Sequence, residues 1–217
     1  MMLTKHKLPN RVSIIAIIGV SAPALLIFIG IQKRQDSAPA VSTKPAQPIP
    51  TFMLPDNYAF RQDDSRWGAE TIGQTEDSLR AYGCTIASVA MSASNLTQTE
   101  ITPQILETRL SDAGGFTDRG WLIWSKVQAA TDNQVTAKYY DSPRYEDINS
   151  CMAAGNYPVI KIKLYDSIVH WVMIIGTSKD EYLIRDPLVG EAAAGLIALS
   201  TRSSDIYSVR CIMKVAN

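Results

Sequence analysis

Two side chains in this sequence could do covalent chemistry together: the thiol of Cys84 and the imidazole of His170. The sequence holds three cysteines and two histidines. His6 lies in a basic N-terminal stretch, so any Cys–His chemistry in the rest of the chain must use His170. Gly83 precedes Cys84, and Ile86, Val89, Ala90 and Ala93 follow at helical spacing. That spacing predicts a buried helix over Cys84–Asn95 with the thiol at its N-terminus. A helix N-terminus offers unpaired N–H groups and the positive end of the dipole, and both favour thiolate, the nucleophilic form. The glycine leaves room for backbone or substrate to come close. A lone cysteine on an apolar helix is more often a small hydrophobe; the helix-terminal position and the small residues around it favour the nucleophile.

An imidazole needs an orienting group. His170 lies in VHWVMIIG, a strand pattern followed by the polar turn Thr177–Asp180, by YLIR and by Asp186. This reads as a hairpin. An odd loop centred on Ser178 sets positions 170 and 186 directly opposite on one face, with Cβ atoms about 4.5–5.5 Å apart. The other parity separates them unless a bulge intervenes. In this reading Cys84 attacks a carbonyl, His170 protonates the leaving amine and Asp186 stabilises imidazolium. The oxyanion hole requires the Cys84 N–H and a side-chain amide, for which Gln62 is the first candidate and Gln74 the second. The plainer alternatives are a core histidine at 170, a turn residue at Asp186 and solvated acids at Asp63-Asp64, with calcium as a lesser reading. Trp67, Trp121, Trp124 and Trp171 read as core or cleft wall. Cys151 and Cys211 read as structural and could pair outside the cytoplasm. The cysteines lack metal-ligand spacing, so neither metal nor cofactor is expected.

Helices are expected first. Pro103–Asp112 has Thr102 as cap and Gly114-Gly115 as terminator, Trp121–Thr131 is amphipathic, and a helix opened by Ser142-Pro143 runs to Ala154. Short strands are expected within Phe52–Gln62 and over Val135–Tyr140, then over Pro158–Tyr165, Val169–Gly176, Tyr182–Arg185 and Ile206–Val215. Helices followed by an antiparallel sheet give an α+β class.

The N-terminus differs in kind. Residues 1–11 form a basic tail; 12–32 are apolar and about the ~20 residues that cross a bilayer, read as a transmembrane anchor in preference to a signal peptide. Residues 33–51 are a Pro/Ala/Ser-rich linker, and 52–217 the folded domain. The anchor orientation expected is N-terminus cytoplasmic, domain outside. Formal net charge is zero, but residues 1–51 carry six Lys/Arg and one acid, leaving 15 basic and 20 acidic residues beyond. An acidic body without a basic cluster speaks against nucleic-acid binding.

The segments Gln62-Asp63-Asp64-Ser65-Arg66-Trp67-Gly68, Gly83-Cys84 with Ala87–Met91, Gly155–Ile160, His170-Trp171-Val172 and Arg185-Asp186-Pro187 resemble papain-like cysteine peptidases of the bacteriocin-processing, double-glycine-leader type. The nearest likeness is to stand-alone members that carry no transporter. The resemblance spans about residues 55–215 and implies a papain-like two-part fold, a helical half packed on an antiparallel β-sheet half. It implies Cys84 as nucleophile, His170 as base, Asp186 as orienting acid and Gln62 as oxyanion glutamine. The sequence departs from many relatives at Thr85 and in the long interval from Gln62 to Cys84. The function so implied is a membrane-anchored cysteine peptidase acting through an acyl-enzyme on an exported peptide or protein. The alternatives are a peptidase-like binding module without activity, or transfer by the same site.

Overall fold

Among the described residues all five α-helices precede Gly155 and five of the eight strands follow it. The structure, a computed structural model, describes residues 40–140 and 142–216. The expected anchor over 12–32 lies outside these residues; among the described residues no helix is long and apolar enough to cross a membrane. The helices are α1 (Leu79–Tyr82), α2 (Cys84–Thr97), α3 (Pro103–Asp112), α4 (Val127–Ala130) and α5 (Tyr145–Ala153). The strands are β1 (Val41–Ser42), β2 (Phe52–Met53), β3 (Val135–Tyr139), β4 (Tyr157–Leu164), β5 (Ile168–Ser178), β6 (Glu181–Asp186), β7 (Gly195–Ala198) and β8 (Asp205–Lys214). They form one antiparallel sheet ordered β1-β8-β4-β5-β6-β7, with β3 also on β8 and β2 also on β5. The architecture is thus mixed helix and curled antiparallel sheet.

The helix α2 is the centre of the core. Every residue from Ile86 to Leu96 is buried, and the helix packs on β5, β8 and β4. Its small residues allow close approach to the sheet, and each large one such as Val89 or Met91 contributes roughly 1.5–3 kcal/mol by burial. The buried hydroxyls are satisfied: Ser88 Oγ donates to the Trp171 carbonyl at 3.1 Å, Ser92 Oγ to Ser88 at 2.8 Å and Ser94 Oγ to Ile101 at 3.2 Å. The helix α3 is capped by Thr102, whose hydroxyl accepts from the Ile105 N–H at 3.2 Å.

Several local expectations are corrected. The fourth expected helix begins at Tyr145 rather than at Ser142-Pro143, with Arg144 as N-cap and its guanidinium on Asp147 at 2.8 Å. The short strand expected within 52–62 is present, over Phe52–Met53. The 121–131 segment becomes a 3-10 turn, Trp124–Lys126, followed by α4. Neither α1 nor β7 has a clear periodic signal.

The second half of the expected linker lies along the body. Val41–Ser42 pairs with β8, Thr43 Oγ1 donates to the Ser203 carbonyl at 2.8 Å, and the Ile49 N–H reaches Asp180 at 3.2 Å. Its residues bury little themselves but can bond backbone groups at the sheet edge. Cys151 on α5 and Cys211 on β8 form a disulfide, with Cα atoms 5.8 Å apart.

Candidate active site

Cys84 opens α2. A Cβ at Gly83 would meet the Leu79 carbonyl, so only glycine lets α1 run this closely into the turn that delivers the thiol. No side chain caps the α2 N-terminus, which leaves its positive end facing the cleft. Cys84 is partly exposed and is the free cysteine among the described residues.

His170 is carried by β5 and is 1% exposed. Its Nε2 lies 2.7 Å from Asp186 Oδ1 at the end of β6, and the ring and the Cys84 thiol each shift the other's pKa. With Nε2 committed to Asp186, Nδ1 is the nitrogen left for sulfur. Asp186 has no exposed surface, so its charge must be satisfied from within. Oδ1 also accepts from the Leu188 N–H at 2.8 Å, and Oδ2 accepts from Arg202 Nε at 2.6 Å.

The route by which 170 and 186 meet differs from the expected one. The β5–β6 loop is even: Ser178 pairs with Glu181, leaving the two-residue turn Lys179-Asp180, both at positive φ. On a regular ladder that parity would send His170 and Asp186 to opposite faces. The register shifts between Ile174 and Gly176, so Ile175 is an extra residue on β5. Past the bulge, Met173 pairs with Arg185, which brings Asp186 into line with Val172 and leaves His170 two residues along on the same face. The strap that holds the linker also holds this bulge: the Leu54 N–H donates to the Ile175 carbonyl at 2.8 Å. A Cβ at Gly176 would strike the Phe52 carbonyl, so glycine is required there.

The electrostatics follow from this packing. For Cys84, burial alone would favour the thiol; the hydrogen bond and charge of His170, with a backbone hydrogen bond from Trp171, outweigh it and lower the pKa. For His170, burial opposes protonation, but the bonds to Asp186 and Cys84 outweigh it and raise the pKa to about 9. Asp186 is likewise pressed upward by burial and held below its ordinary value by His170 and Arg202. The two shifts run in opposite directions and together favour the thiolate–imidazolium pair.

Gln62 is 2% exposed and lines the same cleft as Cys84 and His170. Its backbone N–H donates to Pro187 at 3.1 Å and its Nε2 to the Arg80 carbonyl at 2.8 Å, leaving one amide hydrogen free. Gln74, the second candidate, is exposed in a turn and does not line the cleft. Asp63 and Asp64 are paired locally with Arg61 and Arg66 at 2.6 and 2.9 Å. The cleft has a volume of about 660 Å³; Tyr82, Trp121, Ile168, Val169 and Leu188, all exposed, rim it, and Trp124 and Trp171 pack at 5.0 Å in its wall. Arg202 was invisible to sequence reasoning, because its 16-residue interval from Asp186 matches no periodic relation.

No family model and no curated protein sequence matches the chain. Among solved structures, the chain is similar to a crystal structure from Bacillus anthracis that carries a proposed assignment as a C39-like peptidase. The two share 14% identity over 78% of this chain and 100% of the other, with a TM-score of 0.50. At that identity the likeness is one of fold alone.

Proposed function

We propose that this protein is a cysteine peptidase that cleaves a peptide bond through a Cys84 acyl-enzyme. The observation that supports the reading best is the continuous line from the helix-terminal Cys84 thiol through His170 to the buried Asp186, opening on a cleft wide enough for an extended peptide. The thiolate attacks the scissile carbonyl. The Cys84 N–H and the free hydrogen of Gln62 Nε2 receive the oxyanion. Imidazolium protonates the leaving amine, and the neutral ring then takes a proton from the water that hydrolyses the thioester. Asp186, held by Arg202, keeps the ring oriented throughout. We further propose that residues 12–32 anchor the chain with the domain outside the cytoplasm; the Cys151–Cys211 disulfide supports an oxidising compartment. The bacteriocin-processing type of the sequence resemblance supplies the reaction class, with an exported peptide or protein as substrate.

The test is labelling with a peptidyl thiol-reactive probe, alongside hydrolysis of a peptide library. Wild type should label at Cys84 and cut peptides, Cys84→Ala should do neither, and His170→Ala should label far more slowly. Labelling without cleavage of any peptide would overturn the peptidase reading in favour of a peptide-binding module. Equal labelling of wild type and His170→Ala would overturn the ion pair.

A further inference from the structure

The charges around the cleft are not those of the surface. Beyond the N-terminal 51 residues the chain is acidic, yet apart from the Cys84–His170 pair the cleft is lined by two cations, Lys161 and Arg119, against one carboxylate, Asp77. Lys161 stands on β4 directly opposite Trp171 and is half-buried; among the described residues no carboxylate lies within salt-bridge distance of it. Behind it lies a second unneutralised cation. Arg210 is 7% exposed, stacks on Tyr139, Trp124 and Trp171 at 3.8, 5.3 and 5.8 Å, and has a buried Nε without a partner among the described residues. Its guanidinium donates to Ser208, the β8 residue opposite Lys161, so the two positive groups are turned toward one another. Buried arginine without a carboxylate is uncommon, because desolvated charge is costly unless paired. Burial, Arg210 and Lys163 each press Lys161 toward its neutral form, a pressure that an incoming anion would relieve.

Trp171 follows His170 and Lys161 pairs with Trp171, so by strand alternation both project to the face opposite the imidazole while lining the same cleft. We propose that the cleft selects peptides bearing a carboxylate near the scissile bond, read by Lys161 over the Trp124–Trp171 wall. This rests on the peptidase reading above and narrows its substrate class. The carboxylate is either an internal Asp or Glu side chain or the free C-terminus of a short peptide.

The experiment uses the full chain and a synthetic random peptide library, one half with free and one half with amidated C-termini, with the residues on both sides of each cut identified by mass spectrometry. Asp and Glu should be enriched about fivefold at one position flanking the cut, the size expected of one partly screened ion pair. Lys161→Glu should move the preference to Lys and Arg. Enrichment in both halves identifies a side-chain carboxylate; cutting near the end of free-acid peptides alone identifies the C-terminus. Cleavage without acidic preference, or a preference unchanged in Lys161→Glu, overturns the inference and leaves the peptidase standing. A wild-type protein that cuts nothing overturns the peptidase reading. The carboxylate site is then decided by alkylation of Cys84 with anionic iodoacetate against neutral iodoacetamide. Their rate ratio should fall severalfold in Lys161→Met, and an unchanged ratio overturns the site.

Discussion

Replacing Asp186 by asparagine should uncouple the thiolate from its imidazolium while leaving the shape of the site in place. His170 is raised from 6.5 to about 9, a gap worth about 3.4 kcal/mol at 1.36 kcal/mol per pH unit. The bond to Asp186 stands first among the groups that raise it, ahead of Cys84. Assigning about half of the gap to Asp186 gives roughly 1.7 kcal/mol, or a little over one pH unit. The sign is fixed by the chain of contacts. Loss of the carboxylate lowers the His170 pKa, and a less protonated ring stabilises the Cys84 thiolate less, so the Cys84 pKa climbs back toward 9. The assay is the rate of Cys84 alkylation by iodoacetamide as a function of pH, which needs no substrate. It is also specific, because the other two cysteines are joined in a disulfide. The acid limb should move up by about one unit, with roughly tenfold less reactivity on the acid side. Arg202 loses its carboxylate in this variant, so a drop of up to about 3–5 kcal/mol in stability is expected and the assay belongs well below the melting temperature. Superimposable profiles for wild type and variant would refute the coupling of Asp186 to the thiol.

Two other substitutions test separate parts of the molecule. Gln62→Ala should lower peptide hydrolysis about 100- to 1000-fold while barely changing iodoacetamide alkylation, since the amide acts on the oxyanion and not on the thiolate; an equal loss in both assays would assign Gln62 a structural role instead. Removing the Cys151–Cys211 bond by the double alanine variant opens a loop of 60-residue separation, which corresponds to about 4 kcal/mol on a chain-entropy basis. Urea unfolding should show the lowered midpoint, and a midpoint equal to that of the oxidised wild type would deny the bond a stabilising role.

Local periodicity and cap chemistry made much of the scaffold readable. The apolar spacing after Gly83 yields α2 with its sulfur at the first position, Thr102-Pro103 yields the start of α3, and the alternating VIKIKL yields β4. Where several weak signals compete, the reading slips. The Pro-rich stretch over 33–51 has the composition of a free spacer, but composition reports only that it cannot bury a core; it says nothing of backbone donors bonding to a sheet edge, as those of Thr43 and Ile49 do. The 142–145 segment has a helix-opening proline, yet Arg144 becomes the N-cap and pairs with Asp147. Nothing in the sequence singles out Arg202 or Arg210. One is drawn to a buried carboxylate and the other into an aromatic stack by contacts across the sheet, which no spacing in one chain encodes.

The meeting of His170 and Asp186 shows where such reading ends. From the sequence, their facing follows either from an odd loop or from the other parity with a bulge, and nothing in the residues places the bulge. The turn is even, and regular pairing from Ser178–Glu181 inward would put the imidazole and the carboxylate on opposite sides of the sheet. One extra residue, Ile175, reverses the parity, and its cost is met by tertiary structure: the Leu54 N–H takes its carbonyl, and Gly176 lets Phe52 approach. The strap at 50–54 is therefore not peripheral to the site. It stabilises the irregularity in β5, the irregularity sets the face of His170, and that face decides whether Asp186 can raise the imidazole that ionises Cys84. Binary patterning cannot register a bulge, because Ile174 and Ile175 are both apolar and both fully buried, so either could have been the residue that faces the core in a regular strand.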